Sequence, residues 1–142
     1  MSARAPVVSL ETSPEAEDIA RIARGMREHG LAQIAGNESP PFACFAREGR
    51  VIVGGAVGRI IKGRLFVELL WVEDTRREAG LGSSLLRALE QHARERGCAD
   101  ALLETLSTSA ARLYTAAGYR LQAEIPDYIP GFGKRIFVKS LA

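Results

Sequence analysis

Few of the residues that usually carry metal or redox chemistry are present. The 142 residues include two cysteines, Cys44 and Cys98, and two histidines, His29 and His92. Two distant thiols without a CxxC do not form a disulfide framework, and so few spaced ligands do not suit a structural zinc. No metal is expected. Excess charge is also missing. Lys+Arg is 19 against Asp+Glu 17, a net charge of +2, and no global basic field points to nucleic acid. The longest strongly apolar run, Val51–Val57, is far too short to span a bilayer. The N-terminus lacks the apolar stretch of a signal peptide. No membrane partner is expected, and the cytoplasm is the default location. No internal repeat or low-complexity tract occurs.

What remains is a hydrophobic fraction of 46% and a charged fraction of 25%, the balance of a folded domain. Disorder along the whole chain and a collagen-like fibre are excluded. A chain of this length buries roughly two thirds of its unfolded surface, so its core needs no covalent staples. One domain over residues 1–142 is expected, with no appended specificity domain.

The order of elements narrows the fold. Val7–Leu10 reads as a short strand. Ser13 and Pro14 read as the N-cap and first position of a helix, with Ile19, Ile22, Ala23 and Met26 on one face and Gly30 as its stop. Leu31–Pro41 reads as a second short helix and a loop. Strands follow at Phe42–Ala46, Val51–Ile61 and Arg64–Val72, joined by short turns that favour antiparallel pairing. Gly54 and Gly55 suggest a bulge or a close backbone approach. Gly80–Gly97 is a long helix with Leu81, Leu85, Leu89 and Ala93 on one face, Leu86 beside them, and Arg87, Glu90, Gln91, Arg94 and Glu95 mostly on the other. Ala101–Leu106 is a strand and Ser107–Ala117 a helix. Tyr119–Ile125 and Arg135–Leu141 are the last strands, flanking a loop from Pro126 to Gly133. His92 is expected on the surface, and both cysteines read as small buried hydrophobes.

The informative segment runs from Val72 to Leu86. A strand ends, a loop carries Arg76 and Arg77, and Gly80-Leu81-Gly82 opens a helix. Helix-terminal N–H groups lack intrahelical partners and the dipole adds positive potential, so glycines there make a pyrophosphate cradle. The P-loop pattern is absent, GxGxxG fails at Leu85, and GxSxG is absent. A nucleotide-binding fold using Gly80–Gly82 is the unrelated alternative.

R-x-x-G-x-G does fit, as Arg77-Glu78-Ala79-Gly80-Leu81-Gly82. Downstream, Ser107, Ala110, Leu113, Tyr114, Gly118 and Tyr119 match N-x-x-A-x-x-L-Y-x-x-x-G-[FY], with Ser107 in place of Asn. On these two motifs the chain resembles the GCN5-related N-acetyltransferase (GNAT) superfamily, in its small stand-alone members. The resemblance spans Val7 to Leu141. It implies a mixed α/β fold: a mostly antiparallel central sheet of about six to seven strands with about four helices. It implies acetyl-CoA as cosubstrate and direct acetyl transfer to a primary amine of a small molecule or a protein. It assigns Leu70, Trp71, Val72, Arg77, Glu78, Ala79, Gly80, Leu81, Gly82, Ser83, Ala110 and Tyr114 to the cofactor. Tyr114 is the implied general acid, since a phenol with a reference pKa of about 10 is protonated at neutral pH. Glu68 is the candidate base, on the face of Leu70 unless a bulge intervenes. Glu104, Glu73 and Asp74 are weaker alternatives. Arg76 faces solvent or a 3′-phosphate. Glu38, Glu68 and Asp127 hint at a cationic acceptor. The resemblance allows a homodimer, and the rival within the family is a sensor that holds acetyl-CoA without turnover.

Overall fold

The computed structural model describes residues 4–31, 39–77 and 79–142. The chain divides into two units, Met1–Ala35 and Gly36–Ala142, each taken by itself. In the first, helix α1 spans Ala16–Met26 and continues as a π-helical turn, Arg27–Leu31. Glu15, not Ser13, is the N-cap: its backbone is extended and its carbonyl accepts from Asp18 and Ile19. Gly30 lies inside the π turn, so it does not stop the helix. The expected strand at Val7–Leu10 is absent, and Val7, Val8 and Leu10 are exposed. A strand needs a neighbour for its N–H and C=O groups, and none of the described strands pairs with this segment. Most of the expected helix and loop at Leu31–Pro41 lies outside the described residues.

The second unit is built on a six-stranded sheet in the order β1-β2-β3-β4-β6-β5. The strands are β1 Phe42–Glu48, β2 Val51–Ile61, β3 Arg64–Val72, β4 Asp100–Thr105, β5 Arg120–Ile129 and β6 Phe132–Ser140. All neighbours are antiparallel except β3 and β4. Parallel pairing requires a crossover, and helix α2, Leu81–Glu95, supplies it. Helix α3, Thr108–Ala116, joins β4 to β5. The described residues thus hold three α-helices rather than about four. The expected Pro126–Gly133 loop is largely strand. Pairing breaks after Ile125, where Asp127 has a positive φ, and resumes at Ile129↔Phe132. Pro126 therefore falls where no ladder donor is needed.

The core forms on one face of the sheet. Leu85, Leu86, Leu89 and Ala93 of α2 are buried with Ala56, Leu65, Ala101, Leu103, Phe137 and Leu141. Burying each leucine contributes roughly 2 kcal/mol. Gly54 marks both a bulge and a close backbone approach: Ala46 pairs with Gly54 and Arg47 with Ile52, so Val53 is an extra residue, and a Cβ on Gly54 would stand 3.2 Å from the Trp71 carbonyl oxygen. A second bulge lies on β3, opposite Val57 and Gly58.

Candidate active site

The parallel seam sets the site. β3 and β4 pair only at Arg64↔Asp100, Leu65↔Ala101 and Phe66↔Leu102. Arg64 pins that closed end, with Nε and Nη2 each donating to the Asp100 carboxylate at 2.8 Å. The pair holds the Asp100 carboxyl below its usual range. Beyond Phe66 the strands part, and β3 keeps its ladder with β2 alone. The backbone edge of Leu70, Trp71 and Val72 on the β4 side therefore faces an opening.

The second bulge decides where Glu68 points. Val57 pairs with Leu69 and Gly58 with Val67, so Glu68 is the extra residue. The core-facing positions shift by one across it, from Leu65 and Val67 to Leu70 and Val72. Glu68 consequently leaves the face of Leu70 and lies on the face away from α2, with exposed Leu69 and Trp71. Its carboxylate pairs with Arg59 Nε at 3.1 Å. Two of the other acidic candidates are also engaged, Glu104 with Lys134 at 2.8 Å and Asp74 with Arg77 at 3.0 Å. Asp127 accepts from the Gly131 N–H across the hairpin turn. The cationic-acceptor hint loses force for Glu68 and Asp127, while Glu38 lies outside the described residues.

At the end of β3 a short 3₁₀ turn, Asp74–Arg76, leads into the loop before α2. Arg77 lies in the open, its Nε donating to the Val72 carbonyl at 3.1 Å. Gly80 is the N-cap of α2 in a left-handed conformation, φ +80°. Its carbonyl accepts the first helical bond, from Ser84 N–H at 3.1 Å. The N–H groups of Leu81, Gly82 and Ser83 therefore precede the ladder and are the donors a phosphate would take. Ala79 and Gly80 are exposed, Leu81, Gly82 and Ser83 half-buried; Glu78 lies outside the described residues. Gly82 has a second reason to be glycine. A Cβ there would stand 2.9 Å from Leu113 Cδ2, so the first motif packs directly on the second.

Ser107 caps α3, its hydroxyl accepting from Ala110 N–H at 3.2 Å and bonded to Ser109 at 3.0 Å. It acts here as a helix cap in the position where the motif has Asn. Ala110 and Leu113 pack against the core. Tyr114 is buried, its ring edge-on to Phe137 at 6.0 Å and tilted to Tyr119 at 6.2 Å. Burial raises its phenol above the ordinary value. Beyond α3's first turn, a cleft of about 720 Å³ runs to the β5–β6 hairpin, lined by Leu106, Ser107, Ile129, Phe132 and Arg135 among others. It opens at the C-terminal end of β4, the end toward which β3 also runs.

Sequence reasoning missed the charge buried behind this site. Glu90, assigned to the outer face of its helix, is 1% exposed. It accepts from Tyr119 Oη at 2.9 Å and Lys139 Nζ at 2.7 Å. The signal was present: Glu90 stands four residues after Leu86 and three before Ala93, both inward. Burial, then Glu90, drives the Tyr119 phenol far up. His92 is half-buried against Phe42, ring centroids 4.5 Å apart, rather than on the surface. Cys98 is buried; Cys44 is half-buried and donates to the Leu85 carbonyl at 3.3 Å. Burial pushes both thiols up, away from reactivity.

A mixed sheet parting at one parallel seam, with a glycine-opened helix at its mouth, sets an open strand edge beside a helix N-terminus that suits an anionic ligand. The chain matches the acetyltransferase (GNAT) family model over residues 9–119 and belongs to that family. It is 45% identical over 101 residues to blasticidin-S acetyltransferase of Streptomyces morookaense, covering 70% of this chain and 73% of the relative. An Agrobacterium tumefaciens crystal structure, assigned as an acetyltransferase, superposes with TM-score 0.81 at 26% identity, covering 95% of this chain and 99% of that one. A Bacillus anthracis protein, assigned as a streptothricin acetyltransferase and solved with acetyl coenzyme A, shares the fold. Its TM-score is 0.64 at 19% identity, over 72% of this chain and 64% of that one.

Proposed function

We propose that this chain transfers the acetyl group of acetyl-CoA directly to a primary amine. The observation that carries the reading is the parting of β3 from β4 with the N-terminus of α2 beside it. Family membership supports acetyl-CoA as the donor. The match over residues 9–119 draws on both units, which supports reading residues 1–142 as one acetyltransferase domain.

The residues fit the cosubstrate. The leading N–H groups of Leu81, Gly82 and Ser83, the left-handed Gly80 and the exposed Arg77 would hold its pyrophosphate, with Glu78 and Ala79 completing the loop. The edge of Leu70, Trp71 and Val72 that β4 leaves unpaired would bind its amide arm and orient the acetyl carbonyl, with Arg77 on the Val72 carbonyl and Ala110 and Tyr114 on the far wall. The cosubstrate supplies an acyl group activated as a thioester. In the net reaction a C–N bond forms, a C–S bond breaks, and one proton leaves the nitrogen while another reaches the sulfur. Tyr114 Oη holds the second proton. Glu68 Oε, held by Arg59, takes the first directly or through water. Positioning alone can supply much of the rate.

The test is incubation of the protein with acetyl-CoA and a panel of amines that includes blasticidin-S, other small-molecule amines and peptide lysines. Free thiol should appear together with an N-acetylated product detected by mass. Tight acetyl-CoA binding with no thiol release above background would instead make the chain a sensor. Among the described residues no helix is long and apolar enough to cross a membrane, and no group of acidic, His or Cys side chains is placed to hold a metal ion. A cytoplasmic location and a homodimer are part of the same proposal, the latter tested by mass in solution.

A further inference from the structure

The loop between β3 and α2 carries two adjacent arginines in unlike settings. Arg76 sends two arms to one carboxylate: Nε to Glu48 Oε1 at 2.5 Å and Nη2 to Glu48 Oε2 at 2.6 Å. Its third nitrogen donates to Thr75 Oγ1 at 3.0 Å. This fork-on-fork geometry fixes direction as well as distance. Arg77, by contrast, meets the Val72 carbonyl and the Asp74 carboxylate, which is 86% exposed. An ion pair so open to water is screened and exchanges readily for another anion.

Glu48 is the last residue of β1 and sits just past the point where β2 bulges at Val53, opposite Ala46 and Arg47. The loop's other tie to the same hairpin is the Glu73 N–H, which donates to the Val53 carbonyl at 2.9 Å. The β1–β2 hairpin thus grips the loop at both ends of its 3₁₀ turn, immediately before the helix N-terminus.

We propose that Glu48 is a positioning residue for the cosubstrate loop. It acts through Arg76, whose guanidinium anchors the loop and takes no phosphate, leaving Arg77 as the phosphate-binding arginine. The inference rests on the reading above that this loop holds the pyrophosphate of acetyl-CoA. It reverses the expectation that Arg76 faces solvent or a 3′-phosphate.

Charge exchange separates anchor from ligand. Acetyl-CoA binding by calorimetry, kcat, KM and Tm are measured for the parent chain, Glu48→Gln, Arg76→Glu and the exchanged pair Glu48→Arg/Arg76→Glu. Each single variant should raise Kd and KM for acetyl-CoA on the order of fivefold, with kcat and Tm little changed. The exchanged pair should return to within about twofold of the parent, because the pair is remade with its ends reversed. If Arg76 touches a phosphate, the exchanged pair stays as weak as Arg76→Glu, since it keeps a carboxylate facing the phosphate; that result overturns the proposal. Equal Kd in all four chains overturns it as well. Failure of the parent to bind acetyl-CoA removes the underlying reading, and is seen before any variant is compared.

Discussion

Tyr114 illustrates how one position serves packing and chemistry together. Its ring is part of the core, against Phe137 and Tyr119, and burial raises its pKa above the ordinary phenol range. A raised pKa keeps the proton on the oxygen to higher pH, the state a general acid needs. Tyr114→Phe retains the ring and removes only the hydroxyl. It should lower kcat roughly a hundredfold and leave KM for acetyl-CoA unchanged. In the parent chain, loss of activity through Tyr114 ionisation should set in only above pH ~10, because the neutral form is the active one. Steady-state kinetics from pH 6 to 11 checks both; an unchanged kcat removes Tyr114 from the mechanism. Glu68 teaches the opposite lesson. Its residue type and strand were legible, but its face was not, because the bulge opposite Val57 and Gly58 shifts the side-chain alternation. A bulge is decided by the partner strand, and β3 alone carries no sign of it.

At the scale of elements, the two sequence motifs meet where the first turn of α2 packs on Leu113 of α3. Gly82 opens the first motif and Leu113 belongs to the second, and a Cβ on Gly82 would stand 2.9 Å from Leu113 Cδ2. Gly82→Val should overpack this contact and cost about 1–3 kcal/mol, a fall in Tm of several degrees. Leu113→Ala should cost a similar amount by opening a cavity. Made together, the two changes should cost less than their sum by about 1 kcal/mol or more, as read from urea denaturation. Strict additivity would place the two side chains apart. Most elements were legible because periodicity reports them directly. α2 follows its leucine stripe, and β2 and β3 follow the short turn at Lys62-Gly63. The failures cluster where a neighbour decides. Val7–Leu10 has strand composition but forms no strand, whereas Pro126–Gly133 has loop composition yet is largely strand because β5 and β6 pair again at Ile129↔Phe132.

Across the larger unit, the buried charge at Glu90 ties α2 to β6 through Lys139 and to the residue preceding β5 through Tyr119. Removing one member strands the other's charge in a poorly hydrated place, which costs more than removing both. Glu90→Leu should destabilise the chain by about 3 kcal/mol, and adding Lys139→Met should recover part of that loss. Equilibrium denaturation of the two variants checks this, and a further loss on adding Lys139→Met would show the pair to be unimportant. By itself the sequence determined the order of the main helices and strands, the family, and the glycine-opened helix beside an arginine loop. Those features are local: they depend on residues within a few positions of one another and on backbone rules that act along the chain. Tertiary structure alone decided where β3 leaves β4, which face Glu68 occupies, that Glu90 is buried, and that Glu48 holds Arg76. Each joins residues 28 or more apart in sequence or depends on a neighbouring strand, and pairing of that kind is set by register and packing rather than by local pattern.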